Sequence, residues 1–235
     1  MVDLPRLVVL ETSSRVGRVA LARGDQIVGE RTLDEARRNA RDLAPALAEL
    51  LAREGWKPRD LQAVIVSRGP GSYTGLRVGI MSAKTLVYAT GCALIAVDTF
   101  AALAAQVPEP IARLDVLADA QQDKIYVQSF ARYAGEWHPQ AELSIRPFAD
   151  WLAIRQASAA VTGSGLRKWS AHLPADVPRV DASLWEPQAT SLLRLGLARF
   201  MAGQRDDPWM LEPLYLRPSS AEEQWRARSS PPPPC

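Results

Sequence analysis

Residues 67–83, reading S-R-G-P-G-S-Y-T-G-L-R-V-G-I-M-S-A, constrain this chain more than any other stretch. Ahead of them, Ala63-Val64-Ile65-Val66 is short, apolar and mostly β-branched, which predicts a buried strand. Arg68-Gly69-Pro70-Gly71 ends it with residues that tolerate turn dihedrals. Ser72 or Thr74 then supplies an oxygen to cap the amides that open a helix. The helical pattern runs to Ala89, and Gly91 stops it as a C′ glycine does. A strand, a glycine turn and a helix N-terminus in succession suit an anion. Candidate phosphate- or nucleotide-loop residues are therefore Gly69, Gly71 and Ser72 here, with Thr12 and Ser13 after the first strand.

Inside that helix Gly75, Gly79 and Ala83 recur every four residues and share one face. Glycine in a helix interior costs about 0.5–1 kcal/mol relative to alanine. The stripe therefore implies the close approach of another backbone, either the chain's own sheet or a helix of a partner protein. The reading adopted is a partner interface of Gly75, Gly79 and Ala83, flanked by Leu43, Leu47 and Leu50 of the preceding helix. An apolar face of this kind, left uncovered, also favours a homodimer of the lone chain.

Known nucleotide motifs fit poorly. Gly79 to Thr85 offers G-I-M-S-A-K-T, with alanine where a Walker A loop has its second glycine, and it lies in mid-helix. Gly69, Gly71 and Gly75 approach G-x-G-x-x-G, but the last spacing is one residue too long. Asp98, after the next apolar strand, would have to play the ribose-binding acid.

A chain of 235 residues, 47% of them hydrophobic, can build one large core or two smaller ones. Its net charge of +2 gives no electrostatic case for nucleic-acid binding. Two cysteines, Cys92 and Cys235, provide no disulfide framework and fit a reducing compartment. The opening M-V-D-L-P-R-L-V-V-L lacks a signal-peptide pattern, and no run approaches the ~20 apolar residues of a membrane span. A cytoplasmic protein without membrane contact is expected.

In order, 7–10 predicts a first strand that ends in Glu11-Thr12-Ser13-Ser14, and 16–22 and 26–30 a hairpin turned by Arg23-Gly24-Asp25. Residues 34–54 are helical in pattern, with Leu43, Leu47, Leu50 and Leu51 on one stripe. Pro45 there implies a kink, or a true start near Asp42. Strand 93–97 and a short helix to Gln106 follow, and Pro108-Glu109-Pro110 marks a boundary. The second half repeats the scheme: strands at 114–117 and 124–131, a helix at 148–156, a strand at 159–162, and a last helix at 188–202. The parts are then 1–107, an N-terminal subdomain, 108–217, a C-terminal one, and 218–235, a tail too polar and proline-rich to pack. Two halves that both open with hairpins and move to α/β units fit a duplicated actin-like architecture.

Catalytic machinery is sparse. His138 and His172 are the only histidines and form no near-spaced ligand pair, so no resident metal is expected. No G-x-S-x-G elbow occurs, and Asp119 and Asp123 are the best acid candidates.

With those residues in view, the chain resembles the TsaB (YeaZ) family of bacterial tRNA threonylcarbamoyladenosine biosynthesis proteins. Arg68-Gly69-Pro70-Gly71-Ser72-Tyr73-Thr74-Gly75-Leu76-Arg77-Val78-Gly79 is close to the family's R-G-P-G-S-[FY]-T-G-[LV]-R-[IV]-G, and Pro213-Leu214-Tyr215-Leu216-Arg217 to its terminal P-x-Y-L-R. The resemblance implies an actin-like fold (ribonuclease H-like, the ASKHA group) with two subdomains and no catalytic residues or cofactor of its own. It implies a catalytic paralogue, TsaD, that holds ATP and metal and modifies adenosine 37 of tRNAs reading ANN codons. It also implies a small ATPase, TsaE, and contact with tRNA only through the complex. The family's partner contact maps to helices 34–54 and 74–89. Three positions depart from the pattern: Glu11 stands for the usual aspartate, Asn39 for a common histidine, and Gln121 for the arginine of D-A-R. Rival readings are a self-sufficient nucleotide-dependent transferase or kinase, and a glycoprotease-like peptidase.

Overall fold

The structure, a computed structural model, describes residues 4–33 and 39–216. Two five-stranded sheets organise it. In the first, β1 (Arg6–Glu11), β4 (Ala63–Gly69) and β5 (Ala93–Asp98) run parallel. β2 (Arg18–Arg23) and β3 (Gln26–Thr32) add an antiparallel hairpin, in the order β3-β2-β1-β4-β5.

Both faces of this sheet are covered, so its inner strands read as unbroken apolar runs rather than alternating ones. Val8, Leu10, Val64 and Val66 point to one face, where α1 (Asn39–Arg53) and α2 (Tyr73–Thr90) close a core with Leu43, Leu47, Leu50 and Ile80. Leu7, Val9, Ala63 and Ile65 point to the other, against Leu192 and Leu193 of α6 (Ala189–Met201). Gly196 lets α6 come close: a Cβ there would lie 2.5 Å from Ile65 Cγ2. The partition at residue 108 therefore follows the chain but not the packing. The last helix returns to complete the first half, because the sheet's second face would otherwise stay wet.

α3 (Thr99–Ala105) leads into the second sheet, ordered β10-β6-β7-β8 with β9 also on β7. Its strands are β6 (Arg113–Asp119), β7 (Lys124–Tyr133), β8 (Glu136–Pro139), β9 (Ser144–Pro147) and β10 (Ala160–Thr162). β6 pairs antiparallel with β7 and parallel with β10, as β1 does with β2 and β4. The halves thus repeat one scheme, and the fold is the mixed α/β, actin-like one. One face of the second sheet packs on α3 through Phe100 and Leu103. The other packs on α4 (Phe148–Ile154) through Phe148 and Trp151, and on α5 (Leu166–Trp169) through Leu166 and Trp169.

Most element ends fall within a residue or two of the local signals. α1 is already helical at Asn39, ahead of Asp42, so Pro45 sits in the helix interior and not in its first turn. Residues 34–38, the expected opening of that helix, and the tail 218–235 lie outside the described residues, as does Arg217. No helix among the described residues is long and apolar enough to cross a membrane.

Candidate functional site

The turn before α2 is built around Ser72, which caps the helix by accepting from Gly75 N at 3.2 Å. Its own amide donates to Ser13 O at 2.7 Å, which ties the helix start to the end of β1. The small residues of α2 serve this junction. A Cβ on Gly71 would lie 2.3 Å from Ser13 O, one on Gly75 2.0 Å from Thr12 O, and one on Gly79 2.1 Å from Thr12 Oγ1. Ala83 continues the stripe into the core and is fully buried.

The expected partner-facing stripe of Gly75, Gly79 and Ala83 is thus corrected. It faces the residue just after the chain's own first strand, and what it admits is the carbonyl and side chain of Thr12. Leu50 turns inward too, its Cδ2 3.0 Å from where a Gly29 Cβ would stand. Leu43 and Leu47 are also buried, yet they edge an outer groove of about 580 Å³ between α1 and α2. The outward small-residue stripe belongs to α1: Ala44, Ala48 and Ala52 are exposed at four-residue spacing. Met81 and Thr85 of α2 stand opposite, Met81 59% exposed, with Tyr88 beyond them. This face is apolar and closely approachable.

The corner after β1 holds a buried acid. Glu11 is wholly buried, and its Oε1 accepts from Ser13 N at 2.7 Å, Ser13 Oγ at 2.6 Å and Ser14 N at 3.1 Å. Its Oε2 has no hydrogen-bond partner. Burial lifts the carboxyl from the ordinary 4.5 to about 7 against those hydrogen bonds. Glutamate's extra methylene lets its carboxylate curl back on the turn. The two amides that a phosphate at this corner would use are already given away.

The C-terminal segment seals the same region. Leu214 N donates to Arg68 O at 2.7 Å, and Tyr215 stacks on Tyr73 at 4.7 Å. Arg77 Nε donates to the Tyr215 hydroxyl at 3.2 Å, and its guanidinium lies 4.2 Å from the Tyr73 ring centre. The first sequence motif, 68–79, and the described part of the second, 213–216, therefore meet in space. Burial pushes the Tyr215 hydroxyl up, partly countered by Arg77.

Between the halves lies a cleft of about 700 Å³. Ser13, Gly71 and Ser72 of the candidate loop line it, as do Asp119 and Gln121 from the β6–β7 turn. Thr12 and Gly69 do not: Thr12 is buried beneath α2, and Gly69 packs under Leu214. Gln121, Gln122 and Asp123 in the facing turn all have positive φ, at 62°, 49° and 56°. The cleft's cations from the second half are matched by acids: Arg167 Nε to Glu186 Oε1 at 2.5 Å, and Lys168 Nζ to Asp119 Oδ1 at 3.4 Å. Arg167, Lys168 and Glu186 had no local sequence signal, since only the fold carries them across to Ser13 and Ser72. The cleft is polar and roomy, but it does not present a bare anion cradle.

The remaining candidates stay apart. His172 packs edge-on against Trp169, and His138 lies on β8. No group of three or more potential metal-ligating side chains occurs among the described residues. Cys92 is buried, which pushes its thiol up and away from reactivity.

Comparison with known proteins agrees with this layout. The family model described as "TsaD: tRNA N6-adenosine threonylcarbamoyltransferase" matches residues 27–184. TsaB of Bacillus subtilis, a tRNA threonylcarbamoyladenosine biosynthesis protein, is 27% identical over 93% of this chain and 97% of its own. The solved structure of YeaZ from Pseudomonas aeruginosa superposes with a TM-score of 0.77 at 25% identity, covering 91% of this chain and all of that one. The chain belongs to the family of this TsaD model, on its TsaB (YeaZ) side. A shorter match, 44% identical over 63 residues, joins it to the tRNA N6-adenosine threonylcarbamoyltransferase of Solidesulfovibrio magneticus. It covers 27% of this chain and 17% of that protein, as expected where a related fold shares one segment.

Proposed function

We propose that this protein acts in threonylcarbamoyladenosine biosynthesis as a non-catalytic subunit. In this reading it binds and supports a TsaD-like catalytic paralogue through α1 and α2, with a TsaE-like ATPase in the same assembly. ATP and metal sit on the catalytic partner, tRNA is met through the complex at adenosine 37, and the protein works in the cytoplasm. Alone, it pairs through the same face as a homodimer.

The observation that carries this reading is the groove of Ala44, Ala48, Ala52, Met81 and Thr85. An exposed apolar face with small residues lets a partner helix approach closely, as the centre of a specific interface requires. Family membership supports a TsaD-like partner, and the segment shared with a threonylcarbamoyltransferase marks the two as relatives. The amides of Ser13 and Ser14, held by Glu11, weigh against the rival nucleotide-dependent transferase.

Ala48→Arg and Met81→Glu place charges on the outward face without entering the core. Both variants should fold and melt as the parent does. Affinity for the purified TsaD-like subunit should fall by about thirtyfold or more, the loss of one hot spot, and sedimentation should show less homodimer. Unchanged partner binding by both folded variants would sink the proposal.

A further inference from the structure

A second cavity, of about 260 Å³, lies beside α4 on the second sheet, on the far side from α3. Strand register explains what lines it. Arg113 and Asp115 of β6, Ser129 of β7, and Ser144 and Arg146 of β9 alternate onto the face that α4 covers. Asp115 forms the floor. It is 4% exposed, and it accepts from Ser129 Oγ at 2.6 Å and from Trp151 Nε1 at 3.0 Å.

Three arginines, Arg113, Arg146 and Arg155, share this cavity with that carboxylate. None of them makes an ion pair among the described residues, and neither does Asp115. Arg113 Nη1 is held by Gln156 Oε1 at 2.9 Å and Arg155 Nη2 by Ala159 O at 2.6 Å. The Nε atoms of Arg146 and Arg155 are buried without any acceptor. Buried donors are seldom left unmade, and a buried carboxylate is seldom left without a cation. The guanidinium charges and the Asp115 charge thus stand as two unpaired deficits around one small cavity.

The two deficits have opposite signs, so the missing partner is bipolar. We propose that this cavity binds a free α-amino acid, its carboxylate on the guanidinium groups of Arg146 and Arg155 and its ammonium at Asp115. Arginine's planar fork matches a carboxylate in two parallel hydrogen bonds. A bare phosphate would satisfy the arginines but set its charge against that of Asp115, which lines the same cavity. The volume lies below the ~300–1,000 Å³ of drug-sized sites, which suits a ligand of this size. This reading goes beyond the docking role and does not depend on it.

The test uses the whole chain and the indole N–H resonance of Trp151, which reports on the floor because it donates to Asp115. Trp151→Phe identifies the peak by its loss. Glycine carries both charged groups of every amino acid, so it should shift the peak saturably, with acetate and inorganic phosphate weaker by about tenfold, the worth of one charge-assisted hydrogen bond. Arg146→Met, Arg155→Met and Asp115→Asn should each weaken glycine by about tenfold or more. Should Arg146→Met not fold, Arg146→Lys keeps the charge and loses the fork, with the same expected outcome. No shift with glycine at tens of millimolar overturns the proposal. So does a stronger response to phosphate than to glycine, or glycine binding unchanged in the folded arginine variants.

Discussion

At the scale of single residues, Glu11 shows how one methylene redirects a site. Its carboxylate folds back on Ser13 and Ser14 and is fully buried, with a folded-state pKa of about 7 against 4.5 in the open chain. Between those values the folded protein holds a proton that the unfolded chain has lost. The group's stabilising contribution is therefore complete below about 4.5 and is lost as pH rises through about 7. The size is on the order of 3 kcal/mol. Denaturation across pH 5–8 should show stability falling with pH in the parent, with that component absent in Glu11→Gln. Parallel pH profiles for the two proteins would refute the assignment.

At the scale of elements, α2 is fitted to the end of β1 by its glycines. Gly75 faces the Thr12 carbonyl, which cannot move without disturbing β1, whereas Gly79 faces the Thr12 side chain, whose oxygen can move by a turn about the Cα–Cβ bond. Gly75→Ala should therefore cost about 1–3 kcal/mol of stability through overpacking. Gly79→Ala should cost less, because the clash there is with a side-chain atom and not with the backbone. Chemical denaturation gives the order, and a reversed order would show that Thr12 is the more rigid at its side chain. Gly79→Arg should lower the melting temperature sharply, since that position is core and not interface.

Across the whole molecule, the two halves and the C-terminal segment close on one another at the 68–79 loop. Ending the chain after residue 217 keeps the Tyr215 stack and the Leu214 hydrogen bond, so Tm should move by no more than about 1–2 °C. Ending it after Leu211 removes both. A stacked aromatic pair and a hydrogen bond are worth about 1–2 kcal/mol together, which at this length corresponds to a fall of roughly 2–8 °C. Calorimetry of the two truncations separates the outcomes. An equal loss in both would mean that residues beyond 217 carry the stability.

What the sequence by itself determined is local or short-range. The strand at 63–69, the Ser72 cap, the stop at Gly91 and the helix near 189–201 follow from propensity, capping and period, which act within a few residues. The 68–79 motif also sufficed to point to the family. Its glycine stripe announced a close backbone approach but not whose. Spacing sets which residues share a helix face and says nothing of which side that face turns to. Only the tertiary structure placed Thr12 beneath Gly75 and Gly79 and turned Ala44, Ala48 and Ala52 outward. It also brought α6 under the first sheet, and it gathered Asp115, Arg146 and Arg155 from three elements around one cavity. Those juxtapositions depend on burying both faces of each sheet at once, a condition on the whole chain that no window of the sequence contains.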